Sequence, residues 1–146
     1  MTPTGMKQVW AFDVDACLVD SITGTSLRPL ARPVLESLRA QGSIVVLWSA
    51  GGGEYAQRKA VAVGIDDLIH ACYDKDGRGA DGRWTTTHLP EEHRPDVCVD
   101  DRPEEMPTHI DTVGVSPYLA PNPHDVGLAA LLERLAPCPN EEQESS

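Results

Sequence analysis

The chain has 146 residues, a formal net charge of −11 and four dispersed cysteines. This length favours one domain, and a domain of roughly 150 residues buries about two thirds of its unfolded surface, enough for a sizeable core. The negative charge argues against a broad nucleic-acid or anionic-membrane surface. No apolar run approaches the ~20 residues that span a bilayer, and no secretory signal is visible. We therefore expect a cytoplasmic protein with reduced thiols.

Short apolar runs alternate with segments of helical periodicity along the chain. The pattern predicts strands at residues 7–14, 43–49, 68–73, 97–99 and 110–115. Helices are predicted from Leu30 to Gly42, from Glu54 to Gly64, and after a capping Asp125. Residues 15–29 are predicted to form a loop and residues 74–83 a loop or small hairpin tip, whereas residues 84–95 carry no clear pattern.

Alternating strands and helices predict an α/β fold, here a Rossmann-like three-layer sandwich with a mostly parallel central sheet. We expect one domain over residues 1–136 and a disordered polar tail at residues 137–146. Trp10 and Trp48 lie within predicted strands and are expected in the core.

Two aspartates follow the first predicted strand, and two more follow the fourth. Asp13 and Asp15 are two residues apart, so in an extended segment their side chains project to the same side. Asp100 and Asp101 end the fourth strand. The carboxyl ends of parallel strands form the ligand-binding edge of a sheet, so we expect these carboxylates to converge. Like charges held this close imply a bound metal ion, a shared proton or phosphate chemistry.

A hydroxyl and a glycine run follow the second predicted strand. Ser49 ends this strand, and residues 51–53 are all glycine. Glycines allow backbone N–H groups to approach an anion at the start of a helix. Three or four carboxylates around one point suit an octahedral, oxygen-preferring cation such as Mg²⁺. Together these features predict a pocket for a metal-bound phosphate.

The motifs and their order resemble those of the haloacid dehalogenase superfamily. Residues 13–18 resemble its first motif, DxDxxL, and residues 44–49 its second, an apolar strand ending in serine or threonine. Residues 97–101 resemble the fourth motif, and the whole resemblance spans about residues 9–116. Ala16-Cys17 departs from the family, which commonly has Gly-Thr or Gly-Val at these places.

The resemblance implies an uncapped, Mg²⁺-dependent phosphatase that works through an aspartyl-phosphate intermediate. Asp13 would be the nucleophile, and Asp15 the general acid for the leaving group and then the base for water. Asp13, Asp101 and the backbone carbonyl of Asp15 would bind Mg²⁺, with Asp100 supporting them. Ser49 would hold a phosphoryl oxygen. Asp15 favours phosphate transfer over dehalogenation, which has no leaving oxygen to protonate.

A transferring phosphoryl group also needs a cation opposite the metal. Lys7 lies at the wrong end of the first strand, and Lys59 lies within the second helix, where we expect it to be solvated. Lys75 follows the third strand at the active edge and is the preferred candidate. Arg78 and Arg83 remain as alternatives.

Neither segment between the motifs is long enough for a cap domain, so we expect a site open to solvent. The substrate would be a small phosphate ester, a phosphopeptide or a nucleic-acid end. Residues 100–102 also resemble the fourth motif of polynucleotide phosphatases, yet the negative chain offers no basic patch that tracks phosphates. No feature of the sequence indicates an oligomeric state.

Two other functions use related features. A phosphorylatable receiver domain also combines an acidic cluster, a hydroxyl and a lysine, but there the hydroxyl follows the phosphorylated aspartate. Here Ser49 precedes both Lys75 and the second aspartate pair. A catalytically weak or inactive domain of the same fold would bind a partner or a phosphorylated ligand, and the Ala16-Cys17 departure favours it.

Overall fold

The computed structural model describes residues 8–135, which form a five-stranded parallel sheet with three α-helices. The strands are β1 (Val9–Phe12), β2 (Ile44–Ser49), β3 (Ala71–Asp74), β4 (Val97–Asp100) and β5 (Asp111–Gly114). The helices are α1 (Ala31–Ala40), α2 (Gly53–Ala62) and α3 (Ala129–Leu135). The predicted tail at residues 137–146 and Lys7 lie outside the described residues.

The strand order is β3-β2-β1-β4-β5, and every neighbouring pair is parallel. The chain moves outward from β1 to β2 and β3, then returns to the other side of β1 for β4 and β5. Phe12 is in register with Leu47 of β2 and Val99 of β4. The strand order therefore reverses between β1 and β4, and sheets of this kind bind ligands beside the carboxyl ends at such a point.

The two faces of the sheet are covered differently. One face, which includes Phe12 and Val99, packs against all three α-helices. The other face, which includes Trp48, lies under Leu89 and Met106 from the two connections that flank β4. Right-handed crossovers explain this division, because the two halves of the sheet advance in opposite directions. The second covering layer consists of irregular chain and short 3₁₀ turns.

The α/β prediction is confirmed, and the sheet is parallel throughout the described residues. These residues also contain no cap domain over the carboxyl edge. Trp10 and Trp48 are buried in the core, as predicted. No α-helix within residues 8–135 is both long and apolar enough to cross a membrane.

The largest differences from the predicted element boundaries are at the starts of β3 and α3. The strand β3 begins at Ala71 rather than at residue 68, because Asp66–Leu68 form a 3₁₀ turn. The helix α3 begins at Ala129, so the predicted cap at Asp125 is wrong. Asp125 instead accepts hydrogen bonds from the buried Arg28.

The predicted hairpin tip is present as a small antiparallel contact. Arg78 pairs with Trp84, and the N–H of Gly79 donates to the carbonyl of Arg83 at 2.8 Å. The contact brings Arg78 and Trp84 to the wall of the cleft described below.

Candidate functional site

Three aspartates converge where β1 and β4 end side by side. Asp13 directly follows β1, Asp100 is the last residue of β4, and Asp101 follows it. Each offers a carboxylate oxygen within 4.8 Å of the others. Asp13, Asp100 and Asp101 are called the acidic cluster below. The sequence predicted this convergence from apolar runs that end in aspartates.

The ammonium group of Lys75 lies against the acidic cluster. Its Nζ donates to Asp100 Oδ2 at 2.8 Å and to Asp13 Oδ1 at 3.2 Å, and the side chain is only 5% exposed. Lys75 follows β3, and its backbone N–H is anchored by the carbonyl of Ser49. Arg83 instead donates to the carbonyl of Met106. The structure thus brings Lys75, rather than Arg83, to the aspartates.

The charges of this group perturb one another. Burial, followed by the neighbouring Asp100 and Asp101 carboxylates, raises the pKa of Asp13 to about 8 even though Lys75 opposes the shift. Burial also raises the pKa of Asp100. For Lys75, burial acts against the ammonium form, but the Asp13 and Asp100 carboxylates outweigh it and raise the pKa. If all three carboxyl groups are ionised, the single ammonium leaves an excess of two formal negative charges in this group.

The predicted hydroxyl is present at the end of β2, but the glycines differ from expectation. Ser49 is buried, and its Oγ accepts the N–H of Gly51 at 3.0 Å. The N–H of Gly52 donates to the Ser49 carbonyl, and the N–H of Gly53 donates to the Asp74 carboxylate. These three amides are therefore engaged within the protein, and the anion that the Gly53 amide approaches at the start of the helix is a side chain of the protein itself. Asp74 performs that role as an internal anion at the start of α2.

Asp15 lies at the same edge and is held by a residue that the sequence did not single out. The hydroxyl of Tyr55, in the first turn of α2, donates to Asp15 Oδ1 at 2.6 Å. Burial, with help from the Asp15 carboxylate, raises the pKa of Tyr55 to about 12, so the phenol keeps its proton at neutral pH. Nothing in the sequence pattern links these residues, which are 40 positions apart.

Ala16 and Cys17, which differ from the residues common in the first haloacid dehalogenase motif, occupy a strained and a buried position. Ala16 adopts a left-handed backbone conformation with φ 62°, which a residue with a Cβ takes at a cost of roughly 1–2 kcal/mol. Cys17 is fully buried, and its Sγ contacts the carbonyl of Val99.

An open cleft of about 580 Å³ is lined by the acidic cluster and by the other predicted site residues. Its floor is formed by residues from the carboxyl ends of four strands: Asp13, Asp15, Ser49, Lys75, Asp100 and Asp101. Its walls carry side chains that the sequence did not assign to the site: Ser21, Trp84, Arg102, Glu105, Pro117 and Leu119. Arg78, considered only as a substitute for Lys75, lies on the wall with its guanidinium 4.1 Å from the Trp84 ring centroid.

No protein-family model matches the chain, and no curated protein sequence matches it. The fold and the geometry of the cleft define an α/β domain with a cation-sized acidic cluster at its topological switch point. The resemblance to haloacid dehalogenases stays a prediction.

Proposed function

We propose that the chain is a Mg²⁺-dependent phosphate-ester hydrolase that works through an aspartyl phosphate on Asp13. The observation that carries this proposal is the acidic cluster, with its oxygens within 4.8 Å and Lys75 bridging Asp13 and Asp100. One ammonium does not balance the charge of three carboxylates, so the cluster can accept a further cation. The resemblance of the sequence motifs to haloacid dehalogenases supports the same chemistry.

The donor set of the cluster fits Mg²⁺. Ligands at about 2.0–2.1 Å from an octahedral ion stand roughly 3–4 Å apart, a spacing that oxygens within 4.8 Å of one another can reach. Asp13, Asp101 and the backbone carbonyl of Asp15 would hold the ion, and Asp100 would support it. When bound, Mg²⁺ would neutralise the repulsion between a carboxylate and an anionic phosphate.

The reaction proceeds through two displacements at phosphorus. A carboxylate oxygen of Asp13 forms a bond to phosphorus while the bond to the leaving oxygen breaks, and Asp15 gives that oxygen a proton. Asp15 then removes a proton from water, whose oxygen attacks phosphorus and breaks its bond to Asp13. The products are the alcohol, inorganic phosphate and the restored carboxylate of Asp13.

Lys75 and Ser49 bind the phosphoryl oxygens during both steps. The Lys75 ammonium, already beside Asp13, lowers the repulsion that the incoming phosphate meets. Ser49 accepts the Gly51 N–H through its oxygen, so its own hydrogen is left to donate to a phosphoryl oxygen. Since the cleft has no cap, it admits a small ester, a phosphopeptide or a nucleic-acid end.

The test is turnover of p-nitrophenyl phosphate by the full chain with Mg²⁺, with excess chelator, and after Mg²⁺ is added back. We expect activity only when the cation is present. Asp111→Asn is a matched control, because this exposed aspartate lies at the far end of β5 and should leave turnover unchanged. Full activity in chelator would contradict the metal role. Binding of a phosphorylated ligand without turnover would instead favour the non-catalytic alternative.

A further inference from the structure

Tyr55 is held in place independently of Asp15. Its ring lies over Gly51, where an added Cβ would come within 2.8 Å of Tyr55 Cδ2. Lys59 Nζ lies 5.5 Å from the centre of the same ring and donates to the carbonyl of Gly24 at 2.8 Å. The predicted solvated Lys59 is therefore engaged in a contact between α2 and the loop that follows β1. The Tyr55 ring is therefore positioned by its contacts with Gly51 and Lys59 as well as by its hydrogen bond to Asp15.

The hydrogen bond from Tyr55 distinguishes the two oxygens of Asp15. Oδ1 accepts the phenol O–H at 2.6 Å, whereas an acid must carry its own proton on an oxygen that faces the substrate. With Oδ1 engaged by the phenol, Oδ2 is the oxygen of Asp15 that is left to face the substrate. The same contact limits rotation of the carboxylate when it acts as a base.

We propose that Tyr55 is a positioning residue for Asp15, which orients the carboxylate so that Oδ2 meets the leaving oxygen and then the attacking water. This inference rests on the proposed phosphatase function. It adds a residue from α2 to a set of proposed catalytic and metal-binding residues that otherwise lie at the carboxyl ends of strands. Small misplacements of a reacting group cost up to about 10²-fold in rate, which sets the scale of the expected effect.

The test is a kinetic double-mutant cycle with Tyr55→Phe, Asp15→Asn and the double variant on p-nitrophenyl phosphate. Tyr55→Phe should lower kcat by ~10- to 100-fold and change KM by less than about twofold. In the Asp15→Asn background the same change should alter kcat by less than about twofold. The loss should be greater for an alkyl phosphate, whose leaving oxygen depends more on the proton.

Tyr73→Phe is the matched control, because Tyr73 on β3 bonds to His93 and does not line the cleft. It should leave kcat unchanged. Unfolding midpoints of all variants separate lost positioning from lost folding. Lys59→Met provides a second variant, which keeps the phenol of Tyr55 but removes the hydrogen bond from Lys59 to the Gly24 carbonyl. This variant should lower kcat by ~3- to 10-fold at constant KM.

The possible outcomes separate this inference from the function on which it rests. Wild-type turnover with an unchanged kcat in Tyr55→Phe would overturn the positioning role and leave the phosphatase proposal intact. An equal loss in the wild-type and Asp15→Asn backgrounds would also overturn it, since Tyr55 would then act by another route. Absence of wild-type turnover would refute the proposed function and this inference with it.

Discussion

Two buried cationic side chains, Arg28 and Lys75, differ in the number of carboxylates that surround them. The Arg28 side chain is fully buried, and its guanidinium donates to both oxygens of Asp125, at 2.6 and 3.3 Å. It also donates to the Cys17 carbonyl and the Ser116 hydroxyl, and it lies 5.4 Å from the Tyr118 ring centroid. This one-to-one pair, with its remaining donors satisfied, ties the loop after β1 to the segment before α3.

Lys75 is nearly as buried, but it pairs with two carboxylates, Asp13 and Asp100, that belong to a cluster of three. Burial, followed by the neighbouring carboxylates, raises the pKa of Asp13. A balanced buried pair contributes to the structure, whereas an unbalanced buried cluster calls for a further cation. Under the proposed function, this difference separates a structural charge from a functional one.

The largest expected effect of a single substitution on stability comes from breaking the balanced pair. Arg28→Met leaves Asp125 without its partner, and removal of one member of a buried ion pair typically costs about 3–5 kcal/mol. Urea unfolding measures this loss. The control Arg134→Met removes a half-exposed arginine paired with Asp111 and should cost about 1 kcal/mol or less. Equal losses in the two variants would contradict the distinction drawn here.

The unbalanced cluster should make the metal-free protein less stable as the pH rises. Asp13 has a pKa of about 8 in the folded state and about 3.9 when unfolded, so between these values the folded state binds more protons. The free energy of unfolding should therefore fall from about pH 4 to pH 8, by at most about 1.4 kcal/mol per pH unit from this group.

Urea unfolding in chelator across this pH range tests the sign. Asp13→Asn should flatten the decline, because the amide does not titrate. Saturating Mg²⁺ should stabilise the wild type most at the alkaline end, where Asp13 would otherwise be ionised without a counterion. A wild-type slope no steeper than that of Asp13→Asn would show that Asp13 is not the source.

A smaller effect, on the Mg²⁺ dependence of activity, should distinguish the two aspartates at the carboxyl end of β4. Asp100 already has both oxygens engaged, by the Lys75 ammonium and by the N–H of Arg102, each at 2.8 Å. Asp101 contacts Asp13 at the cleft. Asp101→Asn should therefore raise the Mg²⁺ concentration for half activity by at least about tenfold, and by more than Asp100→Asn does. The reverse order would exchange the roles of these residues.

Local sequence patterns were sufficient to predict the floor of the cleft. An apolar run that ends in an aspartate marks both a strand and its carboxyl end, which is how Asp13 and Asp100 were found. Lys75 followed from the same rule applied to β3, although the strand itself begins three residues later than predicted. The parallel orientation of the strands was predicted from the alternation of strands and helices, although no α-helix connects β3 to β4 or β4 to β5.

The walls and internal partners of the cleft could not be predicted in this way. Tyr55 reaches Asp15 because α2 packs beside β2 and β3, a tertiary arrangement without a local signal. The Gly53 amide meets Asp74 for the same reason. Residues 84–95 lack periodicity because they form no α-helix and no strand, only the short 3₁₀ turn Glu91–His93, yet Leu89 from this segment covers one face of the sheet.

The central claim is that Asp13 becomes phosphorylated, and an adduct on Asp15→Asn tests it most directly. Without its base this variant should still accept a phosphoryl group from p-nitrophenyl phosphate but release it ~10²- to 10⁴-fold more slowly. Intact mass spectrometry after acid quenching should show one added phosphoryl group, which fragmentation maps to Asp13. The double variant with Asp13→Asn should show none. Wild-type turnover without an adduct on Asp15→Asn, or an adduct on another residue, would contradict the mechanism.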